Sequence, residues 1–250
     1  MGKIITILLA FFLLGSMMIF VGGVAVAQES ESEGAKKIDL EVGELNSKQQ
    51  KIVLISSFAA SGNLENLRTV LNEGLDVGLT VNEIKEVLVH VYAYAGFPRS
   101  LNALGTLQSV LEAREARGVN DEAGETASPL PEDKSSFELG REVQTELVGR
   151  PFDYEFAPAM DKFLKGHLFG DLFGRDILDY KTREIVTVSA LASMNGVNSQ
   201  LQSHFFMAFN TGVTPEELKG IVSTIEARVG QKEADNAGEI LSQFLSRINQ

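Results

Sequence analysis

The sequence repeats itself at a spacing of 134 residues, and this repeat limits the possible folds more than any other feature. It needs no gap between residues 62 and 107 of the first copy. The matched pairs are Gly62/Gly196, Leu67/Leu201, Gly78/Gly212, Thr80/Thr214, Glu83/Glu217, Lys85/Lys219, Gly96/Gly230, Asn102/Asn236, Ala103/Ala237 and Leu107/Leu241. Because a fixed period marks repeated structural units, we predict two tandem copies of one unit.

Each copy is predicted to be helical, because apolar residues recur at helical spacing and no segment alternates every second residue. The first helix carries Ile52, Ile55 and Ala59 in copy one; its counterparts in copy two are Ile185, Val188 and Ala192. The third helix opens with a capping box in both copies, at Thr80–Glu83 and at Thr214–Glu217. In such a box the threonine caps the helix and the glutamate reaches back to it. The predicted fold class is all-α, with two tandem helical domains.

Composition divides the chain into five segments. Residues 1–27 are predicted to be a signal peptide, because no charge occurs from residue 4 to residue 27 and an Ala-Val-Ala site ends the stretch. Residues 28–43 are interpreted as a disordered lead-in, 44–116 as the first domain, 117–136 as a flexible linker and 137–250 as the second domain. In the second domain an extra helix, 137–147, and a loop region to Asp176 precede the repeat.

The predicted export places the folded part in the periplasm or outside the cell. An uncleaved anchor is the alternative, because 24 uncharged residues are long enough to span a bilayer. The folded part would then still face away from the cytoplasm.

Charge and cysteine content exclude several functions. A formal net charge of −12 argues against nucleic acid or an anionic membrane surface as a partner. The chain has no cysteine, which excludes disulfide exchange and thiol nucleophiles. With three histidines and no cysteine, we expect neither a zinc site nor any other metal or cofactor.

Several motifs agree in order and spacing with a known family. The segment LNEGLDVGLTVNEIKEVLVHVYAYAGFPRSLNAL resembles the signature half of a carboxymuconolactone decarboxylase domain, whose fold is shared with alkylhydroperoxidase D. In copy two, LDYKTREIVTVSALASMNG and LQSHFFMAFNTGVTPEEL resemble the other half. The resemblance covers most of residues 44–115 and 137–245. It implies oligomers with sites near subunit interfaces, so a homo-trimer or higher homo-oligomer is expected.

The peroxidase branch of this family uses a glutamate, two cysteines three residues apart, and a histidine. Glu184 and His204 match the glutamate and the histidine, whereas Val197 and Gln200 stand at the cysteine positions. Thiol peroxidase activity of the peroxiredoxin type is therefore not expected.

The decarboxylase branch implies a cofactor-free lyase acting on a small carboxylated or lactone substrate. By this resemblance His204 is the predicted proton donor, since imidazole donates and accepts protons near neutrality. Glu184 is predicted to orient His204 or to act as a second acid/base. Arg183 and Arg175 are the predicted anion-binding residues, and His167 is a weaker candidate that we interpret as a loop residue.

The two copies differ in the residues they keep. At the 134-residue spacing, Gln50 and Val70 stand in copy one where the acid/base pair stands in copy two. Copy one keeps Tyr94 and Arg99, which copy two lacks. One hypothesis is therefore a composite site, with the acid/base pair from copy two and Tyr94 or Arg99 from copy one. His90 precedes that segment, and a place beside the core is favoured for it.

A structural role remains the alternative for the whole site. His204 lies one helical turn from Leu201 and from Met207, so it can be a partly buried residue of a packed helix. On that interpretation the chain is a non-catalytic oligomeric binding or scaffold protein that keeps the family's fold.

Overall fold

A computed structural model describes residues 45–248, and this part of the chain contains helices and their connections but no β-strand. The predicted all-α fold class is confirmed. The first copy forms α1 (Ser47–Ser61), α2 (Leu64–Asp76), α3 (Val81–Ala95) and α4 (Phe97–Glu115). The insertion forms α5 (Ser136–Val148), α6 (Pro158–Phe163) and a π-helix, π1 (Leu164–Leu172). The second copy forms α7 (Tyr180–Ala192), α8 (Asn198–Asn210), α9 (Pro215–Arg228) and α10 (Gln231–Ile248).

The predicted signal peptide, 1–27, and the lead-in, 28–43, lie outside the described residues. Across residues 45–248 no helix combines the length and the apolar character needed to cross a membrane.

Both predicted capping boxes are present and fix where α3 and α9 begin. The Thr80 hydroxyl accepts from the backbone N–H of Glu83, whose carboxylate accepts in turn from the backbone N–H of Thr80. Thr214 and Glu217 repeat the arrangement at α9. Each box satisfies two backbone donors that the helix itself leaves free.

Helices α1 and α7 form the centre of the molecule and pack against each other. Both are buried along most of their length, and serines and alanines at their contact let the two backbones approach, as where Ser57 donates to the carbonyl of Ser189. Around this pair, α3 packs on α7 and its counterpart α9 packs on α1. This reciprocal pattern has the character of a two-fold interface. The two copies therefore share one hydrophobic core.

The first helices of the two copies align at a different spacing from the rest. Asn46 caps α1 and Asp179 caps α7, and these residues are 133 positions apart. The later helices keep the 134-residue spacing, because copy two has one more residue than copy one between the start of its first helix and the start of its second. The counterpart of Glu184 is therefore Lys51, and the alignment that placed Gln50 there was wrong.

Two segments expected to be irregular make specific contacts. The linker, 117–136, runs past the start of α3, where Val81 and Asn82 donate backbone hydrogen bonds to the carbonyls of Glu122 and Ala123. The loop region predicted before Asp176 was wrong, because α6 and π1 occupy most of it. His167 lies in π1 and is not a loop residue.

Helices α5 and π1 cross at glycines. A Cβ atom on Gly140 would fall on the carbonyl oxygen of Lys165, and one on Gly170 would fall on the carbonyl oxygen of Ser136. Backbone atoms cannot move aside as a flexible side chain can, so these glycines permit the close approach of the two helices. In the sequence, Gly140 stood in the predicted helix 137–147 and Gly170 in the predicted loop region.

We expect Gly140→Ala to destabilise the protein by about 3 kcal/mol, because the added methyl group overpacks a backbone contact. The matched control is Gly105→Ala on α4, where a Cβ meets no neighbour. That substitution should stabilise by about 0.5–1 kcal/mol, since alanine loses less backbone entropy than glycine on folding. Urea unfolding of both variants measures the difference; equal stabilities would contradict the described crossing.

Candidate acid/base site between the two copies

Glu184 and His204 form a buried pair between α7 and α8. The distance from His204 Nδ1 to Glu184 Oε2 is 2.8 Å. Glu184 is 0% exposed and His204 is 7% exposed. Because a carboxylate only accepts hydrogen bonds, Nδ1 of His204 carries a proton, and Nε2 is the atom left to exchange one. No other hydrogen bond engages this imidazole within residues 45–248. The structure thus brings the two predicted acid/base residues together.

Tyr94 reaches this pair from copy one. Its ring meets the His204 imidazole edge-on, with 5.3 Å between the ring centroids. Burial, and then the charge of the Glu184 carboxylate, raise the pKa of the Tyr94 hydroxyl well above its ordinary value. The phenol therefore stays protonated and can act as a hydrogen-bond donor. The structure therefore places Tyr94 of copy one beside the acid/base pair of copy two, as the composite hypothesis expects.

Arg99 does not join this group. It is exposed on α4, and its guanidinium donates to the carbonyl of Ala60 near the end of α1. Among the described residues this contact ties two helices of copy one together, and a role in substrate binding stays a prediction.

The two predicted anion-binding arginines both pair with Glu86 of α3. Arg183 donates to Glu86 Oε1 over 2.7 Å, and Arg175 donates to both carboxylate oxygens over 2.9–3.1 Å. Burial raises the pKa of Glu86, but the hydrogen bonds from Arg175 and Arg183 outweigh it and lower the pKa below its ordinary value. Arg183 is fully buried, whereas Arg175 keeps part of its side chain in solvent. Anion binding stays a prediction for both.

His90 is a neutral histidine enclosed by the same network. Its Nε2 lies 2.9 Å from Thr187 Oγ1, whose proton is donated to the carbonyl of Arg183. Nε2 of His90 must then carry a proton, so Nδ1 accepts from Arg183 at 3.2 Å. Burial, and then the charges of Arg183 and His204, lower the pKa of His90 well below its ordinary value.

Three buried polar atoms at this junction have no partner among the described residues. They are the Tyr94 hydroxyl, Glu184 Oε1 and Arg183 Nε. Burying a polar atom without a hydrogen bond costs about 1–3 kcal/mol. Two of the three belong to the Tyr94–Glu184–His204 group, so this group keeps one free donor and one free acceptor.

The pseudo-equivalent position between α1 and α9 holds no such group. Lys51 and Arg228 stand there in place of Glu184 and Tyr94, and both bind Glu73, over 2.6 Å and 3.1 Å. Val70 stands in place of His204 and is fully buried. An ion cluster and an aliphatic contact thus replace the acid/base residues, so the site exists once in residues 45–248.

Glu86 and Thr187 were missed in the sequence, and His90 was underrated. The available signal was the four-residue spacing of Glu86, His90 and Tyr94, which places all three on one face of α3. Helical periodicity did not show that α7 of the other copy covers this face.

Comparison with known proteins agrees with this division into two copies. The sequence profile of the Carboxymuconolactone decarboxylase family matches residues 33–109 and 158–243, together more than half of the chain. The chain belongs to the carboxymuconolactone decarboxylase family. It carries two tandem copies without a cysteine. A 4-carboxymuconolactone decarboxylase from Acinetobacter baylyi is 30% identical over 97 residues, which cover 36% of this chain and 72% of that protein.

The buried His90 of this family member predicts a pH dependence of stability. Its folded pKa lies below the ordinary value of about 6.5 that the unfolded chain retains. The contribution of neutral His90 to the free energy of unfolding is therefore complete above pH 6.5. It is lost as pH falls below 6.5, because His90 then binds a proton in the unfolded chain but stays neutral in the folded one. The slope reaches about 1.4 kcal/mol per pH unit.

His90→Gln should flatten the profile of unfolding free energy between pH 7 and pH 5 relative to the natural chain. The amide of glutamine can donate and accept but does not titrate. Urea unfolding at each pH provides the measurement, and parallel profiles for the two chains would show that His90 is not held neutral.

Proposed function

We propose that this protein is a cofactor-free acid/base lyase that removes CO₂ from a small carboxylated lactone, with His204 as the proton donor. The buried Glu184–His204 pair, met edge-on by the Tyr94 ring of the other copy, is the observation that carries the proposal. The Acinetobacter relative is a 4-carboxymuconolactone decarboxylase, so 4-carboxymuconolactone is the first substrate to test.

Each group in the site has a distinct part in the proposed reaction. Loss of CO₂ leaves the bonding electron pair on the substrate carbon, delocalised toward the carbonyl oxygen. The Tyr94 O–H donates a hydrogen bond to that oxygen, and a donor placed where charge develops stabilises the transition state. The His204 Nε2–H then protonates the carbon, while Glu184 holds Nδ1–H and fixes the orientation of the ring.

Charges around the site favour an anionic substrate when His204 is ready to donate. The carboxylates of Glu86 and Glu184 balance the guanidiniums of Arg175 and Arg183. Protonation of His204 therefore leaves the cluster with one positive charge in a buried setting, where charges are screened less than in water. Partly exposed Arg175 is the proposed contact for the substrate carboxylate.

We propose that the mature chain acts outside the cytoplasm as a homo-trimer or higher homo-oligomer. Export rests on the sequence pattern of residues 1–27. Assembly is supported by Phe206 and Phe209, two exposed aromatic side chains three residues apart on α8, the helix that carries His204. Apolar residues at this spacing share one helix face, and such patches mark contact surfaces.

Activity of single variants tests the site. His204→Gln should lower kcat/KM for 4-carboxymuconolactone by about 100- to 10,000-fold, the range expected for loss of a general acid. Tyr94→Phe should lower it by about 100-fold, because one donor to the developing charge is lost. Tyr154→Phe is the matched control for Tyr94→Phe, since it also removes a tyrosine hydroxyl but outside the site, and it should change kcat/KM less than about twofold.

A proton NMR titration shows whether the site binds such compounds at all. The His204 resonance, assigned with His204→Gln, should shift when a lactone acid is added to the natural chain. No turnover, together with an imidazole that responds to no compound of a lactone-acid panel, would reject the lyase and favour a binding or scaffold protein.

The proposed assembly predicts an effect of charge on the α8 surface. Phe206→Glu should reduce the oligomer to smaller species in light scattering, because carboxylates would then meet in an apolar contact. The control Phe206→Leu should assemble as the natural chain does. A monomeric natural chain, or an oligomer that Phe206→Glu leaves intact, would contradict this interface.

A further inference from the structure

A second group of reactive side chains lies outside the proposed lyase site. The Tyr92 hydroxyl lies 3.0 Å from His167 Nε2, and His167 Nδ1 lies 3.1 Å from a carboxylate oxygen of Asp171. Since the carboxylate only accepts, Nδ1 carries the proton and Nε2 accepts from the Tyr92 hydroxyl. A hydroxyl, a base and a carboxylate that orients the base thus stand in one line. This is the arrangement that activates a hydroxyl nucleophile.

The group is assembled from copy one and the insertion, and it is held by more than hydrogen bonds. Tyr92 lies in the last turn of α3, and Gly96 adopts φ +82°, which a residue with a side chain rarely does. The chain therefore turns back, and the Phe97 ring stacks on the Tyr92 ring with 4.0 Å between centroids. His167 and Asp171 come from π1, and π-helical turns occur often at functional sites.

The surroundings of the group are open and apolar. The side chains of His167 and Asp171 are 45% and 43% exposed, so solutes reach them. Phe97 and Leu101 on α4 are 62% and 61% exposed, and Phe163, one turn before His167, is 64% exposed. Such a rim favours an apolar acyl group. The Asp171 carboxylate and the chain's net charge of −12 disfavour an anionic one.

We propose that Tyr92, His167 and Asp171 form a second reactive site that accepts acyl groups from uncharged esters of small apolar acids. The Tyr92 oxygen bonds to the ester carbonyl carbon while its proton passes to His167 Nε2. The bond from that carbon to the leaving alcohol breaks, and the alcohol oxygen takes the proton from His167. Water then hydrolyses the acyl-tyrosine, which releases the carboxylic acid and restores the phenol.

The test uses the purified full chain and p-nitrophenyl acetate. Release of p-nitrophenolate is followed by absorbance, and the acetylated residues are located by peptide mass spectrometry. Tyr154, a half-buried tyrosine with no such base beside its hydroxyl among the described contacts, is the internal control. We expect Tyr92 to be acetylated at least about 100-fold faster than Tyr154, the lower range for general-base assistance.

Variants show whether Tyr92 is acetylated because His167 accepts its proton or only because its hydroxyl is accessible to solvent. Tyr92→Phe keeps the ring that stacks on Phe97 and should abolish the fast phase, whereas His167→Gln should slow acetylation of Tyr92 to the rate of Tyr154. Asp171→Asn should slow it by about 10-fold or more, because the base loses its orienting charge. Circular dichroism establishes that each variant is folded.

Substrate preference provides an independent readout. The butyrate ester should react faster than the acetate ester, and Leu101→Ala should reduce that advantage. The negatively charged succinate half-ester should react more slowly than either. Acetylation of Tyr92 no faster than that of Tyr154 would overturn the proposal. So would a fast phase that persists in Tyr92→Phe with the acyl group on His167.

Discussion

The buried contact between Glu86 and Arg183 is the interaction on which the rest of the structure depends. It joins α3 of one copy to α7 of the other in the interior, where removing two charges from water carries a penalty of several kcal/mol per ion. That penalty is offset only because Arg175 and His90 supply the further hydrogen bonds. Arg183 and Glu184 are successive residues of α7, so holding the first against α3 also fixes the second beside α8. The acid/base pair is thus positioned by a contact that takes no part in the proposed chemistry.

Local signals predicted the helices well, and the contacts between helices less well. The capping threonines, the apolar spacing and the repeat identified both copies, because these depend on residues close in sequence. The pairing of Glu86 with Arg183 depends on which helices face each other, which periodicity does not specify. The close crossing of α5 and π1 at Gly140 and Gly170 was missed for a similar reason, because it depends on which helices meet. The one-residue shift between the first helices also escaped notice, because the spacing was set by the later ones.

In the proposed site, too, residues were easier to identify from the sequence than the contacts that they make. His204 and Glu184 were found from the family resemblance, Tyr94 came from the comparison of the two copies, and the structure brings the three together. Arg99 was named with Tyr94 because copy one keeps both residues and copy two lacks them, but its guanidinium donates to the carbonyl of Ala60 near the end of α1. The arginines predicted to bind a substrate anion both pair with Glu86, and anion binding stays a prediction for them. A carboxylate with two guanidiniums is hard to anticipate from a sequence in which the three residues stand 89 and 97 positions apart.

The ion cluster of Lys51, Glu73 and Arg228 shows which substitutions a tandem chain can accept that an assembly of identical subunits cannot. In an assembly of identical subunits every substitution appears at all equivalent positions, so a charge that helps one interface is imposed on its mate as well. A tandem chain encodes the two interfaces separately. The interface between α1 and α9 now holds ion pairs that join helices, whereas the interface between α7 and α3 keeps the imidazole of His204 and the phenol of Tyr94. Each polypeptide is thus an internal heterodimer, in which one of two pseudo-equivalent positions holds an ion cluster and the other holds the imidazole and the carboxylate. Such a chain brings half as many acid/base centres to an assembly as it brings copies of the domain.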